Sequence, residues 1–209
     1  MNTNKTRWGK GKIVIGITGS IGAGKTTVLN FLAKNGVITI SSDDIANSLI
    51  EVDDEVRNGI KNIFGEGVFD KEGGIDKKKI ADIIFKDDAK RMALETLMHP
   101  KVVKLIEENI KRAPKDSIIA VEVPLLFEKK LTRLFDRTLL IRCPFETRQE
   151  RCCQATGMSK YEFALRDSVQ WGEARKAELA TYFINNASDL AHTEAQVRLF
   201  VTLLREEQA

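Results

Sequence analysis

The chain runs to 209 residues, 43% hydrophobic and 30% charged, with a formal net charge of +3. That length suits one α/β domain with insertions and a well-buried core. The charge is too small and too evenly mixed to point to nucleic acid as the partner, and no apolar run approaches the roughly 18 residues of a membrane span.

Residues 1–12 contain four basic side chains and lack a signal peptide's apolar core, so they read as a flexible basic arm. The buried-strand run Ile13-Val14-Ile15-Gly16-Ile17-Thr18 follows. It leads directly into Gly19-Ser20-Ile21-Gly22-Ala23-Gly24-Lys25-Thr26, which has the spacing G-x-x-x-x-G-K-[ST]. A loop that wraps a polyphosphate must aim successive backbone N–H groups inward, and glycine permits both that shape and close approach of the anion. A helix beginning near Gly24 adds its positive dipole end to the same anion. Lys25 supplies a point charge for β/γ-phosphates. The Thr26 hydroxyl suits the Mg²⁺ that travels with ATP or GTP. Gly22, Ala23, Gly24, Lys25, Thr26 and Thr27 are therefore the expected nucleotide-binding residues.

Gly36 reads as a helix C-cap and Val37–Ile40 as a second strand, ending in Ser41-Ser42-Asp43-Asp44. Asp43 stands where a carboxylate could orient an acceptor hydroxyl and take its proton, or where it could cap the next helix. Residues 53 to about 112 carry helical apolar spacing without strand signals, interrupted by the glycine- and charge-rich loop 64–74. His99-Pro100 reads as a turn or helix start, and Lys77-Lys78-Lys79 as a solvated face.

Strand signals return at Ser117–Glu122, before Val123-Pro124-Leu125-Leu126-Phe127-Glu128, and at Arg137–Arg142, before Pro144. Glu122 at a strand end is either a carboxylate holding Mg²⁺ through water or a solvated residue, and Glu128 is either similar or a surface ion-pair partner. Arg142, Arg148 and Arg151 flank a lid expected from Phe145 to about Trp171, where arginine can clamp a transferring phosphoryl group. A weak strand at Tyr182–Ile184 and a helix near Thr193–Glu206 close the chain. Strands that are apolar throughout and alternate with helices predict a parallel sheet covered on both faces, five strands in order 2-3-1-4-5. Ligands then bind at the carboxyl ends of the strands. Cys143, Cys152 and Cys153, an odd number without C-x-x-C spacing, suggest neither disulfides nor zinc and fit a reducing cytoplasm.

The P-loop, Asp43-x-Ile45-Ala46, Val68-Phe69-Asp70 with Gly74-Ile75-Asp76, His99-Pro100 and Pro124-Leu125-Leu126-Phe127-Glu128 occur here in one order and spacing. In this the chain resembles the dephospho-coenzyme A kinases, from about Ile13 to Ser188. The resemblance implies a P-loop kinase fold with its nucleotide-binding core at 13–44, 113–144 and 176–209. It also implies a helical coenzyme A-binding insertion at 45–112 and a lid at 145–175. The implied reaction is phosphorylation of the ribose 3′-hydroxyl of dephospho-coenzyme A by ATP with Mg²⁺, the last step of coenzyme A synthesis. Asp43 would be the catalytic base, Lys25 and Arg151 would act on the phosphoryl group, Asn186 would frame the adenine, and Thr26 and Glu122 would serve the metal.

Arg151, Gln170 and Lys176 match the family pattern. Three positions depart from it: Ala155 where a second lid arginine is usual, Thr181 where Ala-Asp is usual, and Ser188 where Asn-x-Gly is usual. The alternatives are another P-loop kinase acting on a nucleoside or nucleotide, and a catalytically weak nucleotide-binding protein. The expected partner is a small molecule, not nucleic acid or membrane, and the expected assembly is a monomer or weak homo-oligomer.

Overall fold

A computed structural model describes residues 7–9 and 11–208. Most of the arm expected at 1–12, namely residues 1–6 and 10, lies outside the described residues. Of its remainder, the Arg7 amide donates to Asp136 Oδ1 at 2.9 Å and the Trp8 indole N–H to the Leu134 carbonyl at 2.9 Å.

The sheet consists of β1 (Ile13–Thr18), β2 (Ile38–Ser41), β3 (Ile118–Glu122), β4 (Arg137–Arg142) and β5 (Tyr182–Asn185). All four pairings are parallel and the order is β2-β3-β1-β4-β5, as the apolar runs predict. Every residue of β1 is buried, in keeping with its apolar run Ile13–Ile17 and its central place in the sheet. Ile17 pairs with Glu122 and Ser41 with the same Glu122, so the carboxyl ends of three strands share one edge.

Helices α1 (Lys25–Lys34) and α9 (Leu190–Gln208) cover one face of the sheet. Val28 and Leu32 of α1 and Val197, Phe200 and Leu204 of α9 meet Ile13, Ile15 and Ile17 in one core. Burying each such side chain fully contributes on the order of 1.5–3 kcal/mol. Between β4 and β5 run α6 (Phe145–Thr156), α7 (Lys160–Ser168) and the short α8 (Glu173–Ala177). A capping box starts α7, with Ser159 and Glu162 exchanging hydrogen bonds with each other's backbone.

The chain divides into two compact units. One holds the sheet, up to Ser41 and again from Ile110 on. The other is Ser42–Asn109. The second is helical: α2 (Ser42–Val52), α3 (Asp54–Phe64), α4 (Lys77–Ile84) and most of α5 (Asp88–Arg112). Asp53 caps α3 by accepting the Val56 amide, and Asp76 caps α4 by accepting the Lys79 amide. Leu49, Val56, Ile60, Val68 and Ile80 form its buried centre.

One expectation fails here. His99-Pro100 is neither turn nor helix start, because α5 runs through it with Pro100 inside. A proline inside a helix costs about 3 kcal/mol. Leu94, Leu97, Met98, Val102 and Leu105, on both sides of the break, all pack on the helical core, and that burial outweighs the lost hydrogen bond.

Candidate functional site

The loop Gly19–Thr26 leaves the carboxyl end of β1 and enters α1 through Gly24, which sits at φ 86° with no side chain capping the helix. The first amides of α1 are thus left for an anion. Two of its glycines show why the bend needs them. At Gly22, φ 76°, a Cβ would lie 2.7 Å from the Arg148 carbonyl and 2.8 Å from Cys152 Sγ. At Gly24 it would lie 2.0 Å from Asn186 Nδ2. The Lys25 ammonium donates to the Gly19 carbonyl at 3.0 Å, arching over its own loop.

Three outside side chains hold the loop's backbone. Asn186, 3% exposed just after β5, donates through Nδ2 to the Ala23 carbonyl at 2.8 Å. Its Oδ1 accepts from the Thr193 hydroxyl of α9 at 2.9 Å. Gln170, between α7 and α8, accepts the Ile21 amide at 2.9 Å. Arg148 of α6 donates to the Ile21 carbonyl at 3.0 Å.

Arg148 is buried and heavily engaged. Its guanidinium also donates to Asp167 Oδ1 and to the Cys143 carbonyl, and it lies within 6 Å of the ring centroids of both Phe145 and Phe163. It is therefore a structural hub. Arg142 pairs with Glu173 Oε1 at 2.9 Å. Arg151 donates to the Asn186 carbonyl at 2.8 Å.

Arg151, Asn186, Gly24 and Thr27 line a cavity of about 730 Å³ whose far wall is Ser188–Ala191, at the start of α9. Ser188, the departure from Asn-x-Gly, thus faces the cavity. Thr181 does not share that edge. It immediately precedes β5, its amide donating to Thr138 Oγ1 at 3.0 Å while its own hydroxyl accepts the Thr138 amide at 3.1 Å. These bonds join the amino ends of β4 and β5, away from the loop.

Thr26 is exposed in the first turn of α1, and Glu122 is buried where β3 ends. A hydroxyl and a carboxylate are the kinds of ligand that suit Mg²⁺, a cation that takes few protein ligands and keeps phosphate oxygens and waters. Glu128 is no surface residue. Its side chain is 10% exposed, and its Oε1 accepts the Trp171 amide at 2.8 Å and lies 3.0 Å from the fully buried Lys176 ammonium. Burial pushes the Cys152 thiol up from its ordinary pKa, so the sulfur beside Gly22 is a neutral thiol at physiological pH. The three cysteines are unpaired.

In the helical unit, Asp43 and Asp44 stand exposed on the first turn of α2, where a helix favours negative charge. That unit has its own cavity of about 500 Å³, lined by Arg57, Lys61 and Lys71, by the carboxylates of Glu66 and Asp70, and by Phe69. Arg57 lies over the Phe69 ring and donates to the Gly73 carbonyl.

Local reading of the sequence assigned no role to the contacts made by Thr193, nor to the Gln170–Ile21 bond. Their partners lie far away in the chain, and the only available signal was the match of Gln170 to a family pattern.

A family model described as "Dephospho-CoA kinase" matches residues 13–192. The dephospho-CoA kinase of Aquifex aeolicus is 34% identical over 184 residues, covering 88% of this chain and 93% of its own. A solved structure from Thermus thermophilus superposes with a TM-score of 0.81 at 32% identity, covering 93% of this chain and 99% of that one. The dephospho-CoA kinase of Campylobacter jejuni gives a TM-score of 0.63 at 25% identity, covering 91% and 96%. Among the described residues, no helix is long and apolar enough to cross a membrane.

Proposed function

This chain belongs to the dephospho-CoA kinase family and phosphorylates dephospho-coenzyme A with ATP, and on that premise we propose how its own residues divide the work. The amides of Gly22–Thr27 and the Lys25 ammonium hold the donor's phosphates, while the cavity bounded by Arg151, Asn186 and Ser188 takes its nucleoside. Asp43 accepts the proton of the acceptor's ribose 3′-hydroxyl. As that oxygen bonds to the γ-phosphorus, the bond to the β–γ bridging oxygen breaks and ADP leaves. Almost all of this chemistry is positioning and charge neutralisation, which suits a site made chiefly of main-chain donors. Thr26 and Glu122 would hold Mg²⁺, which brings positive charge to the β/γ-phosphates when bound.

The helical unit binds the acceptor, a reading supported by its cavity, where Arg57, Lys61 and Lys71 stand with Glu66 and Asp70 around Phe69. The segment 145–175 is the lid, and Arg151 acts from it on the transferring group. Three free cysteines fit work in a reducing cytoplasm, as a monomer or weak homo-oligomer.

The observation that carries the donor assignment is the uncapped start of α1 behind a glycine bend. Purified protein given γ-labelled ATP with dephospho-coenzyme A beside a nucleoside panel should label only the former, and label confined to nucleosides would overturn the assignment. The two alternatives, a nucleoside or nucleotide kinase and a weak nucleotide binder, are not favoured by a family match spanning residues 13–192.

A further inference from the structure

The bend between Gly19 and Gly24 has little side chain with which to hold itself, yet its phosphate-binding shape depends on which way each peptide plane faces. Two planes meet at Ile21. In a trans peptide the carbonyl and the next N–H point opposite ways, so fixing one group fixes the other.

The Ile21 N–H is drawn outward to Gln170 Oε1 at 2.9 Å. The Ser20 carbonyl in that plane is thereby turned back into the bend, where it accepts the Ala23 amide at 3.1 Å and lies 3.5 Å from the Lys25 ammonium. The Ile21 carbonyl is drawn outward to Arg148 at 3.0 Å, which turns the Gly22 N–H of the second plane the other way.

Arg148 has several structural duties, but Gln170 is different. It is half-buried on a connector between helices, and its side-chain acceptor serves the loop. We propose that Gln170 is a positioning residue for phosphoryl transfer: by holding the Ser20–Ile21 plane it keeps Lys25 and the following amides set for the donor's phosphates. It touches no substrate itself. The inference rests on reading Gly19–Thr26 as the ATP phosphate site.

The test is Gln170→Met, which keeps the side chain's length and removes the acceptor, with Lys25→Ala as a control on the site. Amide exchange at Ile21, KM for Mg-ATP, KM for dephospho-coenzyme A and the melting temperature would all be measured. Losing one net hydrogen bond corresponds to about three- to tenfold. Exchange at Ile21 and KM for ATP should both rise by that amount, while KM for dephospho-coenzyme A stays within about twofold and melting falls by no more than about 4 °C, the cost of one such bond in a chain of this size.

An unchanged KM for ATP overturns the proposal. So does a rise in both KM values together with a large drop in melting temperature, since that marks a general structural role. If Lys25→Ala also leaves ATP use intact, the phosphate-site reading itself has failed. If Lys25→Ala damages ATP use and Gln170→Met does not, only the role of Gln170 is lost.

Discussion

Around the glycine bend, the carbonyls of Ile21 and Ala23 are held by Arg148 and by Asn186, buried side chains that reach in from α6 and from the end of β5. Asp43, by contrast, is exposed on the first turn of a helix whose unit has five buried aliphatic side chains at its centre and a ring of partly buried ones around them. The donor side is a main-chain construction spread over many residues and anchored in the sheet's core. The acceptor side, as we assign it, gathers its chemistry in one carboxylate on a thinner scaffold. On that assignment the more heavily anchored side is the one that must hold a flexible polyphosphate, and a single titratable group serves where a hydroxyl must only be aimed and deprotonated.

The contrast is broken most directly at its two chemical ends. Asp43→Asn should lower kcat by roughly 10²–10⁴ with KM for ATP nearly unchanged in steady-state kinetics. A loss below about threefold would leave Asp43 only its place in the helix's first turn. Lys25→Ala should lower kcat/KM for ATP by roughly 10²–10³, and intact turnover would contradict its role.

The next test addresses rigidity rather than chemistry. Lys176→Met strands the Glu128 carboxylate, and removing one partner of a buried pair costs about 3–5 kcal/mol, read from urea unfolding. A loss below about 1 kcal/mol would mean that the sheet unit does not depend on that pair.

The smallest effect concerns acid. Amide and lysine donors hold the carboxyls of Asp53, Glu66 and Asp76 below their ordinary pKa: chiefly the Val56 amide for Asp53, Lys61 for Glu66 and the Lys79 amide for Asp76. All three lie in the helical unit. A depressed carboxyl adds stability above its unfolded pKa, and that stability is lost as pH falls through the folded value. Between about pH 5 and pH 3, intrinsically corrected hydrogen exchange should therefore show the helical unit losing protection before β1 and β3 do. Simultaneous loss would erase the difference in robustness between the units.

The strand order was legible because β1, β3 and β4 each carry an unbroken apolar run and the glycine bend fixes which strand is first. Local periodicity misjudged Pro100, since the burial of Leu97, Met98 and Val102 that carries α5 past it is a property of the assembled core. Within the site, Lys25 and Thr26 could be read from spacing alone. The grip on Ile21 could not, because Gln170 lies 149 positions along the chain from it. Nor could the burial of Glu128, whose charge suggests the surface until Lys176 is seen against it. Sequence shows which groups are chemically capable, but main-chain hydrogen bonds to distant side chains appear only in the fold.

Trp171 sits beside Gln170 with its amide on Glu128 and the Arg175 guanidinium 3.4 Å from its ring centroid. Indole emission responds to a cation stacked on the ring, so the protein carries its own fluorophore at the joint between α7 and α8. Any rearrangement of that joint on nucleotide addition would register as a change in intensity or colour, without an attached dye and on the timescale of a stopped-flow trace.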